Sequence, residues 1–366
     1  QPLSAPWQDP RLGTEEVMVA IPEPSNTALN AVNAAIEAEQ SRAPGRYHLG
    51  ASIIGDECER KLWYTFRWAH AVLHDARLLR LFNRGQLEEN RFNYWLKLAG
   101  FQVWDVDPDT NDQWRIEDIG GHFGGSLDGV VMGLPEAPSK PHVSEQKTHN
   151  DKSFKDVEKK GVRESKPQHF AQMQVYMHKM ELQRALYQAI NKNNDELYFE
   201  RVNYEKEHAE RLIKKAERII ASDRPRERIS QDPSWYQCKF CDFHPVCHGR
   251  KAPAMNCRTC VHSTPRMDGN ARWVCEKHDK DLSGEDQKLG CDDHNFIPPM
   301  LEHWATPTDS DEHNVHYTNT LNGKPFVNGP GGYKSSEIAA VVDVSIIGDD
   351  ATEMLKEEFP GAELVG

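Results

Sequence analysis

The sequence predicts an α/β protein: a mixed central sheet flanked by helices, followed by a Cys-rich metal module and a small C-terminal appendage. Three observations predict it. Short alternating segments over 101–148 and 184–202 read as strands, and helical periodicities over 50–100, 167–180 and 205–221 bracket them. Seven of the eight cysteines fall between 238 and 291, in a stretch too Cys-, His- and Pro-rich to build a core of its own without metal. Residues 301–366 hold twelve acids and three lysines, so this tail alone contributes -9 to a net charge of -13.

Residues 1–46 are Pro-rich, with one Ala-rich helical stretch near 26–40, and read as a loosely attached arm. A helix is expected over 50–69, with Ser52 as its cap and Cys58, Leu62 and Phe66 at helical spacing. A second runs over 78–100, closed by Gly100, with an apolar stripe of Leu87, Phe92, Trp95 and Leu98. Strands follow at 101–106, 114–119, 123–133 and 142–148. Residues 152–166 read as a basic loop, and Pro167 opens a helix over 167–180. "RALYQAI" and "LYFERV" form a strand pair around "NKNND", and 205–221 is a charged amphipathic helix. Beyond the cysteines, 302–314 reads as an acidic linker, 315–329 as a hairpin, and 335–344 as the start of a capped helix or a strand.

The composition bounds the function. Mean hydropathy is -0.74, and no run approaches the roughly 18 apolar residues of a membrane span. "QPLSAPWQDP" lacks a basic-then-apolar signal, so a cytosolic protein is expected, and metal binding is a better reading of the cysteines than disulfides. The acidic total does not exclude a polyanionic partner. Residues 147–166 carry seven basic and four acidic side chains, and 201–228 carry nine and six, a local +3 in each.

The chemistry concentrates in "SEQKTHNDKSF", residues 144–154. In a strand, residues i and i+2 share a face, so Glu145 and Lys147 lie together and Gln146 points away. Asp128, in "SLDGV" one strand earlier, can come beside Glu145. Adjacent carboxylates repel unless a divalent cation sits between them, and oxygen ligands suit Mg2+ or Mn2+. Such an ion activates water and neutralises a phosphate, and a nearby lysine stabilises the transition state. The simpler reading of Glu-x-Lys is a solvated ion pair.

Two further elements join these. "RGQLEEN" places Glu88 and Glu89 on the helix before the strands, and "QMQVY" places Gln172 and Tyr176 four apart on the helix after them. Helix with Glu, strand with Asp, strand with Glu-x-Lys, helix with Gln-x-x-x-Tyr: this order resembles the PD-(D/E)XK nuclease superfamily, nearest its RecB-like and lambda-type phage exonucleases. The resemblance spans about residues 50–250 and implies a restriction-endonuclease-like core and hydrolysis of DNA to 5′-phosphates. It implies Asp128 and Glu145 as metal ligands, Gln146 as a ligand through its carbonyl, and Lys147 as the catalytic lysine. Glu89 takes the early helical position, where many RecB-like members have His, which leaves Glu88 versus Glu89 open. The resemblance also implies that Gln172 and Tyr176 contact the substrate strand or brace the site. A phage or bacterial setting in recombination, replication or repair follows, in the host cytoplasm if phage-encoded, with a single-strand annealing protein or helicase as a possible partner. The alternative is a catalytically inactive nuclease fold acting as a nucleic-acid or protein adaptor.

Cys238, Cys241 and Cys247 need a fourth ligand, and Cys58 is the one cysteine outside the later group. One distant N-terminal cysteine with three after the core is similar to the iron-sulfur subgroup of RecB-like nucleases, including CRISPR-associated exonucleases, which implies a [4Fe-4S] cluster. Zinc on the same thiolates, or His244 or His248 in place of Cys58, is the other option. Cys257, Cys260, Cys275 and Cys291 suggest a ribbon-like structural Zn2+ site, with His262, His278 and His294 as possible substitutes. A redox enzyme is disfavoured, since no dinucleotide fingerprint follows a strand. The expected organisation is an arm (1–46), a nuclease core with its cysteine clamp (47–250), a four-cysteine module (251–300) and an acidic appendage (301–366).

Overall fold

The computed structural model describes residues 26–42 and 45–365; the Pro-rich stretch before residue 26 lies outside them. The described residues form two compact units. The smaller comprises 26–42 with 74–79. Its helix α1 (Thr27–Arg42) matches the expected Ala-rich segment, and Glu37 accepts the backbone N–H of Ala76 at 2.9 Å.

In the larger unit, β1 (Leu49–Gly50) leads to α2 (Glu59–Phe66) and α3 (Ala76–Leu98, its first turn in the smaller unit). Then come β2 (Gln102–Trp104), β3 (Arg115–Asp118), β4 (Phe123–Ser126), β5 (Gly129–Met132) and β6 (His142–His149). Helices α4 (Asp151–Ser165) and α5 (Pro167–Lys179), strands β7 (Arg184–Asn191) and β8 (Leu197–Asn203), and helix α6 (Lys206–Ala221) complete the core. The main sheet has the order β2-β5-β6-β7-β8, with β6 and β7 parallel and the other pairs antiparallel. A second sheet, β1-β4-β3, stands beside it. The predicted mixed sheet flanked by helices is therefore present.

Four expectations are corrected. The helix expected from residue 50 begins only at Glu59, because Asp56 captures the N–H of Cys58 (2.9 Å) in a local turn. Cys58 is the N-cap, its Sγ accepting from the Lys61 N–H at 3.4 Å, while Ser52 sits in a short 3-10 turn. On α3, Phe92 and Leu96 are buried, whereas Leu87 and Leu98 point to solvent. Residues 152–166 are not a loop. Asn150 caps α4 by accepting from the Ser153 N–H at 2.8 Å, and Phe154, Val157 and Val162 bury its inner face. Seven basic side chains in the 147–166 stretch mask that stripe in the sequence. Finally, 123–133 is two strands in two different sheets, and the chain changes sheet at Leu127–Asp128.

The cysteine-rich segment contains short helices α7 (Tyr236–Lys239) and α8 (His244–Cys247), strands β9 (Ser263–Pro265), β10 (Trp273–Cys275) and β11 (Lys280–Leu282), and helix α9 (Gly284–Lys288). It does contribute apolar side chains to the principal core: Phe243, Val246, Trp273, Leu282 and Ile297 pack in one cluster with Trp63, Phe66, Val143 and Val175. Arg258 fastens it. Its guanidinium lies 3.7 Å from the Trp68 ring centroid and donates to the carbonyls of Phe66 (3.0 Å) and Tyr47 (2.9 Å) and to Gln287. The C-terminal stretch builds its own core around Trp304, Tyr317, Phe326 and Ile338. Strand β12 (Ala305–Ser310) replaces the expected linker, and the hairpin is present as β13 (Val315–Asn319) and β14 (Pro325–Asn328). Helices α10 (Ser335–Ala340) and α11 (Asp350–Glu358) follow. No described helix is long and apolar enough to cross a membrane.

Candidate functional site

The pleat of β6 turns Glu145 and Lys147 to one face, and Gln146 to the other, where its amide donates to Asn93 (2.8 Å) and Ser144 (3.2 Å). Pairing of Gly129 with Ser144 brings the β4–β5 crossover alongside, and the backbone N–H of Gln146 donates to Asp128 Oδ2 at 2.7 Å. Lys147 Nζ is thereby surrounded by oxygens. It forms an ion pair with Glu145 Oε1, donates to the Gln146 carbonyl at 3.2 Å, and stands 4.0 Å from Asp128 Oδ2. Glu145 is wholly buried, and its Oε2 has no hydrogen-bond partner.

Burial raises the Glu145 carboxyl well above its ordinary range; Lys147 opposes this, and Asp128 adds to it. For Lys147, burial acts to lower the pKa, but Glu145 and Asp128 outweigh it and keep the amine charged. On α3 the two glutamates separate. Glu88 is held by Arg91 at 2.8 Å. Glu89 feels the site instead: burial first, then Asp128, push its carboxyl up to about 7 against the pull of Lys147. The helix turn between adjacent residues, which the sequence cannot orient, brings Glu89 and not Glu88 under the influence of Asp128 and Lys147.

Tyr176 is buried and donates to the Ser126 carbonyl at 2.8 Å, two residues before Asp128; Gln172 donates to the Tyr176 hydroxyl at 3.1 Å. Of the two expected roles for this pair, the geometry is that of a brace. Gly125 makes the brace possible, since a Cβ there would lie 2.7 Å from the Tyr176 hydroxyl. Three residues escaped the sequence reading: His149, His169 and Tyr187. Tyr187 is in register with Glu145, and its hydroxyl meets His149 Nε2 (2.8 Å) and His169 Nδ1 (3.0 Å). The signal for His149 was present, as alternation along "EQKTH" carries the Glu145–Lys147 face on to residue 149.

Cys58, Cys238, Cys241 and Cys247 line one cavity of about 640 Å³, which Lys166, Gln168 and His169 also line. Burial raises the thiols of Cys238, Cys241 and Cys247, Cys241 to about 11, while Lys61 acts on Cys241, and Arg60 and Arg228 on Cys247, to favour the thiolates. Cys257, Cys260, Cys275 and Cys291 line a second cavity of about 440 Å³. Burial pushes Cys257 up to about 12 and Cys260 to about 11. At this second cavity His278 Nε2 stands 3.7 Å from Cys291 Sγ and 3.4 Å from Asp293 Oδ2, a trio whose ligand atoms lie within 4.8 Å of one another. His278 was expected as a substitute ligand; Asp293 was not.

Three solved structures are similar in part. The crystal structure of SSO0001 has a TM-score of 0.37 and 17% identity, covering 58% of this chain and 92% of that one. LHK-Exo in complex with dAMP has 0.35 and 15%, covering 52% and 91%. The alkaline exonuclease LHK-Exo from Laribacter hongkongensis has 0.35 and 17%, covering 51% and 91%. No curated protein matches the chain. A family model of the PD-(D/E)XK nuclease superfamily matches residues 19–248, and with more than half of its length so matched the chain belongs to that superfamily.

Proposed function

We propose that this protein is a Mg2+- or Mn2+-dependent deoxyribonuclease, an exonuclease leaving 5′-phosphates, acting in phage or bacterial DNA recombination, replication or repair. The observation that supports it is the convergence of Asp128, Glu145 and the Gln146 carbonyl on one cationic point, with a buried carboxylate oxygen left unpartnered. A buried carboxylate oxygen without a partner is costly unless a cation completes it. The donors are all oxygens, the set that hard divalent ions take. Asp128, Glu145 and the Gln146 carbonyl would hold the ion, with Glu89 at its edge. When bound, the ion neutralises phosphate charge and lowers the pKa of water.

The chain's own groups do the rest. Lys147, kept charged by its neighbours, presents its ammonium where negative charge grows on the phosphoryl oxygens. The Gln146 N–H holds Asp128 in place, and Tyr176 fixes the backbone before it. Lys152 and Lys159 project from exposed positions seven apart on α4 and meet the DNA backbone. The four thiols at 58, 238, 241 and 247 hold a [4Fe-4S] cluster, whose negative charge Arg60, Lys61 and Arg228 offset. Cys257, Cys260, Cys275 and Cys291 hold structural Zn2+ with His278 adjacent.

The test is digestion of end-labelled DNA by the full chain, purified anaerobically and assayed with Mg2+ and with Mn2+. Mononucleotides with 5′-phosphates are expected, and their release should stop in Asp128→Ala. Metal-dependent degradation that persists undiminished in that variant would remove Asp128 from the chemistry. Iron and zinc analysis of the same sample tests the two cysteine sites.

A further inference from the structure

The Ser153, His149, Tyr187 and His169 side chains form one continuous hydrogen-bonded chain. His149 Nδ1 meets Ser153 Oγ at 3.0 Å, and Tyr187 joins the two imidazoles at 2.8 and 3.0 Å. A hydroxyl has one proton to give, and a neutral imidazole has one N–H and one acceptor nitrogen. The chain therefore has a polarity. If Ser153 donates to His149 Nδ1, then His149 Nε2–H donates to Tyr187 and Tyr187 donates to His169 Nδ1. The remaining nitrogen, His169 Nε2, must then carry its proton and is an outward donor. In the opposite polarity it is an acceptor.

Both ends of the chain, Ser153 and His169, are half-buried, and of the two it is His169 that lines the larger cysteine cavity. Tyr187 is 0% exposed and His149 6%, while half-buried His169 lines the larger cysteine cavity alongside Lys166 and Gln168. Both imidazoles stay neutral. Burial lowers His169 to about 2, with Lys147 and Lys166 pressing in the same direction, and His149 is lowered to about 4 for the same first reason. A neutral N–H donor that shares its cavity with Lys166 suits an anion with acceptor oxygens.

We propose that His169 Nε2 donates to a backbone phosphate of the DNA strand next to the scissile one, and that the Ser153–His149–Tyr187 chain fixes the tautomer that lets it do so. This rests on the nuclease reading above. It makes His169 a substrate-positioning residue, and Tyr187 and His149 the groups that orient it.

The experiment measures fluorescence anisotropy of a labelled oligonucleotide with the full chain, Ca2+ replacing the catalytic ion, alongside KM and kcat in Mg2+. Expected in His169→Ala is a loss of about tenfold in affinity and a similar rise in KM, the scale of one hydrogen bond to a charged group, with kcat moved less. His169→Gln, which keeps an N–H at similar reach, should recover most of it. Tyr187→Phe, which keeps the ring in the core, should fall between. A series of oligonucleotides with single methylphosphonates should show one position where wild type loses affinity and His169→Ala loses nothing further. Equal binding by wild type and His169→Ala, with the same methylphosphonate profile, overturns the inference. So does a variant whose altered property is its iron or zinc content, since His169 would then serve the cysteine site. If wild type itself neither binds nor cuts DNA, the nuclease reading fails and takes this inference with it.

Discussion

Glu89 carries the readable pH dependence, because its carboxyl is raised to about 7 by burial and by Asp128. The sign is fixed by linkage. A carboxyl whose folded pKa is raised favours the metal-free fold while it is protonated, and that contribution is lost as pH rises through about 7. Divalent ions compete with the same proton, so Mn2+ affinity should climb between pH 6 and pH 8, up to about tenfold per unit where one proton is displaced. Titration calorimetry at three pH values checks this, and a flat profile would show that Glu89 and Glu145 are not at the ion. The buried pair gives a second prediction. Lys147→Ala strands Glu145 without its counter-charge, so cleavage should fall by about two orders of magnitude or more, and stability by about 3 kcal/mol in chemical denaturation. The double variant Glu145→Gln/Lys147→Met should recover much of the stability and none of the cleavage. That Glu145 and Lys147 share a face was legible because a strand has period two; Asp128, at the change of sheet, was placed only by its order in the chain. Glu88 and Glu89 were not separable, since both lie on a helix whose facing depends on what it packs against.

At the scale of elements, two glycines mark where backbone geometry serves the site. Gly161 has φ 74, and the next residue, Val162, donates its N–H to Glu200 at 2.7 Å, so α4 kinks there. Gly161→Ala should cost about 1–3 kcal/mol, read from a denaturation midpoint. Gly125→Ala drives a Cβ against the Tyr176 hydroxyl and should loosen Asp128. Cleavage should drop by about tenfold or more with little change in fold by circular dichroism, the response of a site displaced rather than a core lost. Strands were readable where one face is buried, as in β6 and β7. Helix α4 was not, because lysines on its outer face dominate the composition while only Phe154, Val157 and Val162 mark the inner one. The change of sheet at Asp128 was also hidden, since the one break signal in "FGGSLDGVVMG", Asp128-Gly129, does not say that the two halves pair in different sheets.

At the scale of the whole molecule, the cysteine-rich segment is packed into the core and not hung from it. Arg258 is buried against Trp68 and Trp273 and donates to core carbonyls, so Arg258→Ala should lower stability by about 3 kcal/mol and, through α9 and Gln287, loosen the second four-cysteine cavity. A lower midpoint, together with faster loss to a chelator of the zinc proposed for that cavity, is the expected pair of results. The core shared by Phe66 and Trp273 could not be seen in a sequence where Cys, His and Pro set the local pattern. The four-cysteine groupings could, because cysteine spacing survives the loss of periodicity. The arrangement of Cys58 with Cys238, Cys241 and Cys247 also orders events in time. Cys58 leaves the ribosome 180 residues before Cys238 (238 − 58), and it is Cys238 that follows the whole main sheet and α6. Domains generally fold as they emerge during synthesis. The wall of that cavity is thus closed by residues made after the carboxylate-bearing strands, so whatever the four thiols bind is taken up on a chain whose sheet has already been synthesised.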